Sequence, residues 1–231
     1  MSPPPFRILF AVYPGMTQLD FTGPHQFFIR APGCEVIVAS RDGGDVPSDG
    51  LVFARTARLA DVPGCDLLCV PGGTNALDAA LDDGFISELR RLAADARYIT
   101  SVCTGSLILG AAGLLRGRRA ACHWAWRDLL KPFGAIPDDG RVVRDGNVIT
   151  GGGVTAGIDF ALVVLAEIAG PQVAQTLQLG FEYAPAPPFE AGRPEHAPPD
   201  ILAVCRQGLA RLAASREAQT REAASRLATQ H

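Results

Sequence analysis

The stretch Tyr98-Ile-Thr-Ser-Val-Cys103-Thr-Gly-Ser-Leu-Ile-Leu-Gly-Ala-Ala112 limits the fold of this chain more than any other. A β-branched run ends at a cysteine and passes without a spacer into residues of helical pattern. A strand that turns directly into a helix needs a tight elbow, which lifts the residue at the bend above the carboxyl end of a sheet. Here that residue is Cys103. The unpaired N–H groups of the helix's first turn, together with its positive dipole end, are expected to favour thiolate over thiol. The pattern points to covalent thiol chemistry.

Strand-like runs at 8–13, 35–39, 66–70 and 98–102 alternate with helical patterns at 18–29, 85–96 and 104–115. That rhythm predicts an α/β fold: a doubly wound, mostly parallel sheet with helices on both faces. The run 66–70 is apolar enough for a central strand, and Pro71-Gly72-Gly73 stops it. Two β-rich segments flank Asp145-Gly146, a strong hairpin signal. Gly151-Gly-Gly153 then releases the chain into an apolar helix over 155–169. Past Phe181 a proline-stiffened connection leads to an Ala/Arg/Leu/Glu pattern at helical spacing from about 200 to 227. Its apolar positions Ile201, Val204, Leu209 and Leu212 are expected to pack on the body or on a second subunit. The chain thus divides into a domain over 1–190 and a helical extension over 191–231. One long helix is too little for a helix-turn-helix module.

The 231 residues suffice for one sizeable core, and hydrophobic residues make up 48% of them. A net charge of −3 without a Lys/Arg cluster leaves no electrostatic footprint for nucleic acid or anionic lipid, so a small neutral substrate is expected. The apolar run near the amino end is too short to span a bilayer and lacks a leader's pattern, which makes the cytoplasm the expected location. Cys34, Cys65, Cys69, Cys103, Cys122 and Cys205 show no C-x-x-C pair and no metal-ligand spacing, so neither a disulfide framework nor a metal site is expected.

Three segments fall at or just past the carboxyl ends of the expected strands, where open α/β sheets place their ligand crevice. They carry Asp20, Gly72-Gly73-Thr74 and Cys103-Thr104. Asp20 reads either as a helix cap or as a partly desolvated acid whose raised pKa suits a proton relay. Gly72 and Gly73 read either as turn residues or as N–H donors to a developing negative charge, with the N–H of Thr104 completing that pocket. The Thr104 hydroxyl either caps the helix or holds a water or a substrate polar atom. His123, the one histidine in an apolar sequence setting, reads either as a core residue or as a base paired with Cys103.

Leu19-Asp20-Phe-Thr-Gly-Pro24, Val70-Pro-Gly-Gly-Thr74, Ser101-Val-Cys-Thr-Gly-Ser106, Cys122-His-Trp124, the Val142–Asn147 hairpin, the segment 151–160 and Glu182-Tyr-Ala-Pro-Ala-Pro-Pro-Phe189 together resemble the DJ-1/PfpI superfamily. Within it they are most similar to its isocyanide-hydrating branch. The resemblance implies a flavodoxin-like sandwich, a homodimer, no metal or organic cofactor, and hydration of an isocyanide to an N-formamide through a cysteine thioimidate. It places the nucleophile on Cys103, the acid/base carboxylate on Asp20 and the neighbouring threonine on Thr104. Val154 starts the helix near the nucleophile, where a relative carries isoleucine, and Cys122 replaces a threonine. A glyoxalase-like or other thiol-dependent enzyme of the superfamily is the first rival reading. A redox- or ligand-sensing module like the amino-terminal halves of AraC-type regulators is the second.

Overall fold

The computed structural model describes residues 4–229. Strand β1 (Phe6–Val12) presents five consecutive buried residues and runs through the middle of an eight-stranded sheet. It pairs in parallel with β2 (Cys34–Ser40) on one side and β5 (Leu67–Val70) on the other. Beyond β5 come β6 (Tyr98–Val102) and β10 (Val148–Gly151), again parallel, and β9 (Val142–Asp145) closes that edge antiparallel as the second arm of the Asp145-Gly146 hairpin. At the far edge β4 (Leu51–Arg58) lies parallel to β2 and carries β3 (Gly44–Ser48) as a hairpin partner. A small parallel pair, β7 (Arg119–Ala120) and β8 (Ile136–Pro137), sits outside the main sheet. The all-buried sequences of β5 and β10 are what a central parallel strand, covered on both faces, requires.

Helices α1 (Gln18–Phe28) and α6 (Pro171–Gly180) both pack on α5 (Ala156–Ile168), while α2 (Ala76–Ala80), α3 (Asp83–Ala94) and α4 (Gly105–Ala111) form a second group. The flavodoxin-like, doubly wound expectation holds. Pairing of Val70 with Ser101 and of Val102 with Gly151 brings Pro71, Cys103 and Gly152 to one edge of the sheet. The carboxyl ends of three neighbouring strands thus meet at the elbow.

The edge hairpin over 44–58 and helices α2 and α6 were not legible. The hairpin's residues are largely exposed, so no apolar alternation marks them. α6 opens with proline directly behind Gly170, whose φ is +91°. α4 is shorter than the pattern 104–115, because the chain leaves the helix at Gly113, φ +78°.

Helix α7 (Pro199–Ala228) packs on α2, α4 and the 3-10 segment Arg127–Phe133. Arg216, Thr220, Ala223 and Leu227 are buried, and Leu209 and Ala213 are half-buried against the core. Ile201, Val204 and Leu212 are exposed on this body, so of the expected face only Leu209 packs against it, and an arginine takes an inward position. Residues 1–3 and 230–231 of the two expected segments lie outside the described residues.

Candidate active site

Cys103 follows directly on β6 with φ +58°, in the left-handed region that a side chain disfavours. Its N–H is shared between the carbonyls of Gly151 (3.0 Å) and Gly152 (2.9 Å), which hold the bend. The glycine two residues on is a steric necessity, since a Cβ at Gly105 would lie 2.1 Å from the Val70 carbonyl oxygen.

Asp20 enters from the first turn of α1 and is fully buried. It caps nothing: Oδ2 accepts the Gly72 N–H at 3.0 Å, and among the described residues Oδ1 has no hydrogen-bond partner of ordinary geometry. Burial pushes its pKa up to about 7, against the pull of the Cys103 thiol and the Gly72 amide. Cys103 is itself 5% exposed. Burial, then the Asp20 charge, then Cys122 raise its pKa well above the usual thiol value, opposed by the backbone amides of Val154 and Thr104. The expected preference for thiolate is therefore overturned, because desolvation outweighs the helix amides. The Asp20 charge opposes ionisation of Cys103, while the Cys103 thiol favours the Asp20 carboxylate.

The glycine amides also differ from expectation. The Gly72 N–H is committed to Asp20, and the Gly73 N–H donates to Thr104 Oγ1 at 2.9 Å. The Thr104 hydroxyl donates back to the Gly73 carbonyl at 3.2 Å, so it neither caps α4 nor stands free for a ligand. Neither glycine N–H opens onto a substrate oxyanion in this arrangement. Close approach is what Gly72 supplies: a Cβ there would sit 2.5 Å from the Thr104 nitrogen and 2.8 Å from Asp20 Oδ2.

Val154 stands at the mouth of α5 with φ +25°, a strained setting for a β-branched residue, and its amide acts on the Cys103 sulfur. It lines a cavity of about 230 Å³ together with His123, Trp124, Arg127 and Arg193. His123 is half-buried, and its Nδ1 accepts the Ala125 N–H at 3.3 Å. Burial, then Arg216 and Arg127, push its pKa below the usual histidine value, which keeps it neutral. His25 also has an apolar setting, against Phe10 and Phe21, so His123 is not alone in that. Cys122 is buried within electrostatic reach of Cys103 and interacts with Ser106.

Sequence reasoning missed Tyr13, Arg127 and Arg216. Tyr13, at the end of β1, is buried and donates its hydroxyl to the Pro71 carbonyl at 3.1 Å. Arg216 is 7% exposed, stacks 4.4 Å above the Trp126 ring and donates from Nη2 to the Thr74 carbonyl at 3.2 Å. Tyr13 could have been found from its place at a strand's carboxyl end. Arg216 carries no such signal, being one of five arginines spaced by five along α7. Among the described residues no group of three or more His, Cys, Asp and Glu is arranged to hold a metal ion, and no helix is long and apolar enough to cross a membrane.

The model of the DJ-1/PfpI family matches residues 6–167, which include Asp20, Gly72, Gly73, Cys103, Thr104, His123 and Val154. The chain belongs to the DJ-1/PfpI family. It is 47% identical over 222 residues to the isonitrile hydratase of Pseudomonas putida, covering 96% of this chain and 97% of that one. It is 36% identical over 141 residues to the HTH-type transcriptional regulator CdhR of Pseudomonas aeruginosa, covering 59% of this chain and 41% of the regulator. A THiJ/PfpI family protein from Pseudomonas syringae superposes with a TM-score of 0.90 at 42% identity, covering 95% and 90% of the two chains. Drosophila melanogaster DJ-1beta superposes at 0.69 and 25% identity over 78% of this chain and all of its own. The shorter DJ-1 match and the near-complete match to the hydratase differ in length by about what α7 and its connection add.

Proposed function

We propose that this protein hydrates isocyanides, R–N≡C plus water giving R–NH–CHO, with Cys103 as nucleophile and Asp20 as proton relay. The observation that carries the reading is the likeness to isonitrile hydratase over nearly the whole chain, α7 included. The buried Asp20–Cys103 pair supports it, because the reaction needs one group to attack carbon and another to move a single proton.

Asp20, as carboxylate, takes the thiol proton while the sulfur bonds the terminal carbon, and the same proton passes to that carbon. The product is a thioimidate, R–N=CH–S–Cys103, with Asp20 ionised again. Asp20 then accepts a proton from water as the hydroxyl adds to the carbon, and gives it to the imine nitrogen. Collapse of the R–NH–CH(OH)–S adduct breaks the C–S bond, returns the hydroxyl proton to sulfur through Asp20 and releases the formamide. Atoms balance with water as the sole co-substrate. Thr104 positions the turn that carries the Gly72 amide, and Val154, whose amide acts on the Cys103 sulfur, lines the neighbouring cavity with His123.

The same reading takes the working form as a homodimer, which the exposed Ile201, Val204 and Leu212 of α7 support, and its setting as the cytoplasm, which six unpaired cysteines suit. The test is turnover of an aryl isocyanide followed by formamide formation, with acid quench and peptide mass analysis for the adduct on Cys103. Wild-type turnover, none in Cys103→Ala with the fold retained, and the adduct mass on the Cys103 peptide are expected. Turnover surviving in Cys103→Ala overturns the covalent route, and turnover of methylglyoxal without any of the isocyanide favours the glyoxalase reading.

A further inference from the structure

Three arginines line the cavity that Val154 and His123 share, and one of them is unspent. Arg141 and Arg193 are exposed and committed, the first to the Asp159 carboxylate and the second, through Nη2, to the Asp139 carbonyl at 3.0 Å. Arg127 is half-buried, and it makes no hydrogen bond or ion pair among the described residues. Its Nε is buried without a partner. The acids nearest to it in sequence are taken by other cations, Asp128 by Lys131 at 2.6 Å and Asp138 by Arg119 at 3.2 Å. Asp139 and Glu195, the acids of the lining, are exposed and form no ion pair with it. His123 supplies a second unused donor. Its Nδ1 accepts the Ala125 N–H, so in the neutral ring the proton sits on Nε2, which has no partner among the described residues. The ring lies against Gly153, where a Cβ would stand 2.9 Å from Cδ2. The next residue but one before Val154, Gly152, also lines the cavity, and its carbonyl accepts the Cys103 N–H at 2.9 Å. The main chain of 152–154 thus joins the cavity to the elbow.

We propose that this cavity seats a carboxylate, held by the Arg127 guanidinium and the His123 Nε2–H, so that the isocyanides this protein hydrates carry an acid group on R. This deepens the function proposed above and rests on it for the reacting end of the molecule. A half-buried guanidinium without a counter-ion and an imidazole N–H without an acceptor are both costly, and one small anion satisfies the two together. One cation and one neutral donor balance a single negative charge, and the planar edge of the guanidinium matches the two oxygens of a carboxylate. The net charge of −3 pointed to a neutral substrate, but that figure sums the whole chain and does not describe one cavity. No bond to the carboxylate forms or breaks in the hydration. Its contribution is affinity and orientation, the same in ground and transition state, so it acts on KM and not on kcat.

The experiment measures binding by calorimetry on the full chain, with product-like formamides bearing a terminal carboxylate one, two or three methylenes from nitrogen, each against its primary amide. The best acid should bind roughly ten- to a hundredfold tighter than its amide, a margin that shrinks as sodium chloride is raised. In Arg127→Met the two should come within about threefold of each other, and Arg127→Lys, which keeps the charge and loses the fork, should retain part of the margin. The matching isocyanides should show the same margin in KM when turnover is followed. An arginine that only packs would weaken acid and amide together and leave their ratio at the wild-type value. If Arg127→Met does not fold, Arg127→Gln supplies the neutral reading. Equal binding of acid and amide by the wild type at every length overturns the proposal, as does a folded neutral variant that keeps the wild-type ratio. Acid-selective binding with no isocyanide turned over would instead sink the hydratase reading and leave the carboxylate site standing.

Discussion

The floor and the roof of the crevice around Cys103 are built by opposite means. The floor uses main chain and very short side chains: two glycine amides, a forked amide at the elbow and a carboxylate brought within hydrogen-bond distance because Gly72 has no Cβ. Nearly every donor there is spent. The roof uses long side chains from a helix and a loop, and it keeps donors in reserve on Arg216 and on Arg127, whose Nε is likewise buried without a partner among the described residues. A floor with fixed partners handles a proton, which must be exchanged over short distances between two defined atoms. The roof is held instead by the docking of α7, through hydrogen bonds from Arg216 to the Thr74 carbonyl and from Arg226 to the Leu81 carbonyl.

Asp20→Asn breaks the floor's side of this contrast most sharply. It should keep the fold and lose about 10²–10⁴-fold in kcat/KM with an isocyanide, the usual worth of general acid–base help. In wild type kcat/KM should rise with pH through about 7 as Asp20 ionises and becomes able to take the thiol proton. Stability should move the other way. The folded chain keeps the Asp20 proton up to about 7 whereas the unfolded chain gives it up near 3.8, so this contribution is complete below 3.8 and fades as pH climbs through 7. Thermal melts should accordingly show the wild type losing ground to Asp20→Asn between pH 5 and 8. A constant gap would place the carboxylate outside the proton pair.

Leu227→Ala tests how the roof is held. The leucine is buried where α7 meets Gly113, and its truncation should cost about 2–4 kcal/mol by urea unfolding. Thr104→Val has a smaller reach, removing both hydrogen bonds to Gly73, and should lower kcat/KM roughly fivefold, equivalent to about 1 kcal/mol. Smallest of all is Val204→Ser on the exposed stripe of α7. It should change the unfolding free energy at low protein concentration by no more than about 0.5 kcal/mol. A large change there would mean that the outer face is already covered.

The same division explains what could be read in advance. Cys103 is visible because a strand, a cysteine and a helix with Gly105 follow one another without a gap. Asp20 is visible because an acid between Leu19 and Phe21 at a strand's exit is out of place chemically. Their partners are not visible: that Gly72 and Gly73 give their amides to Asp20 and Thr104, and so hold none for a substrate, depends on distances no spacing encodes. Burial likewise outweighed the helix amides at Cys103, a contest decided by depth. Arg216 sits in a helix whose arginines at 206, 211, 221 and 226 are exposed or half-buried. The rotation that turns 216 inward is set by docking on α2 and α4.

Arg193, whose Nη2 donates to the Asp139 carbonyl at 3.0 Å, pins the proline-stiffened connection beside the cavity. A tether of this kind turns the docking of α7 into an intramolecular event, at an effective concentration of about a millimolar or more. Four buried side chains and a few hydrogen bonds are then enough to seat a helix that would not find the same surface as a separate peptide at cellular dilution. Cleavage anywhere in the connection would leave the Asp20–Cys103 pair in place and yet let α7, with Arg216, leave by dilution alone.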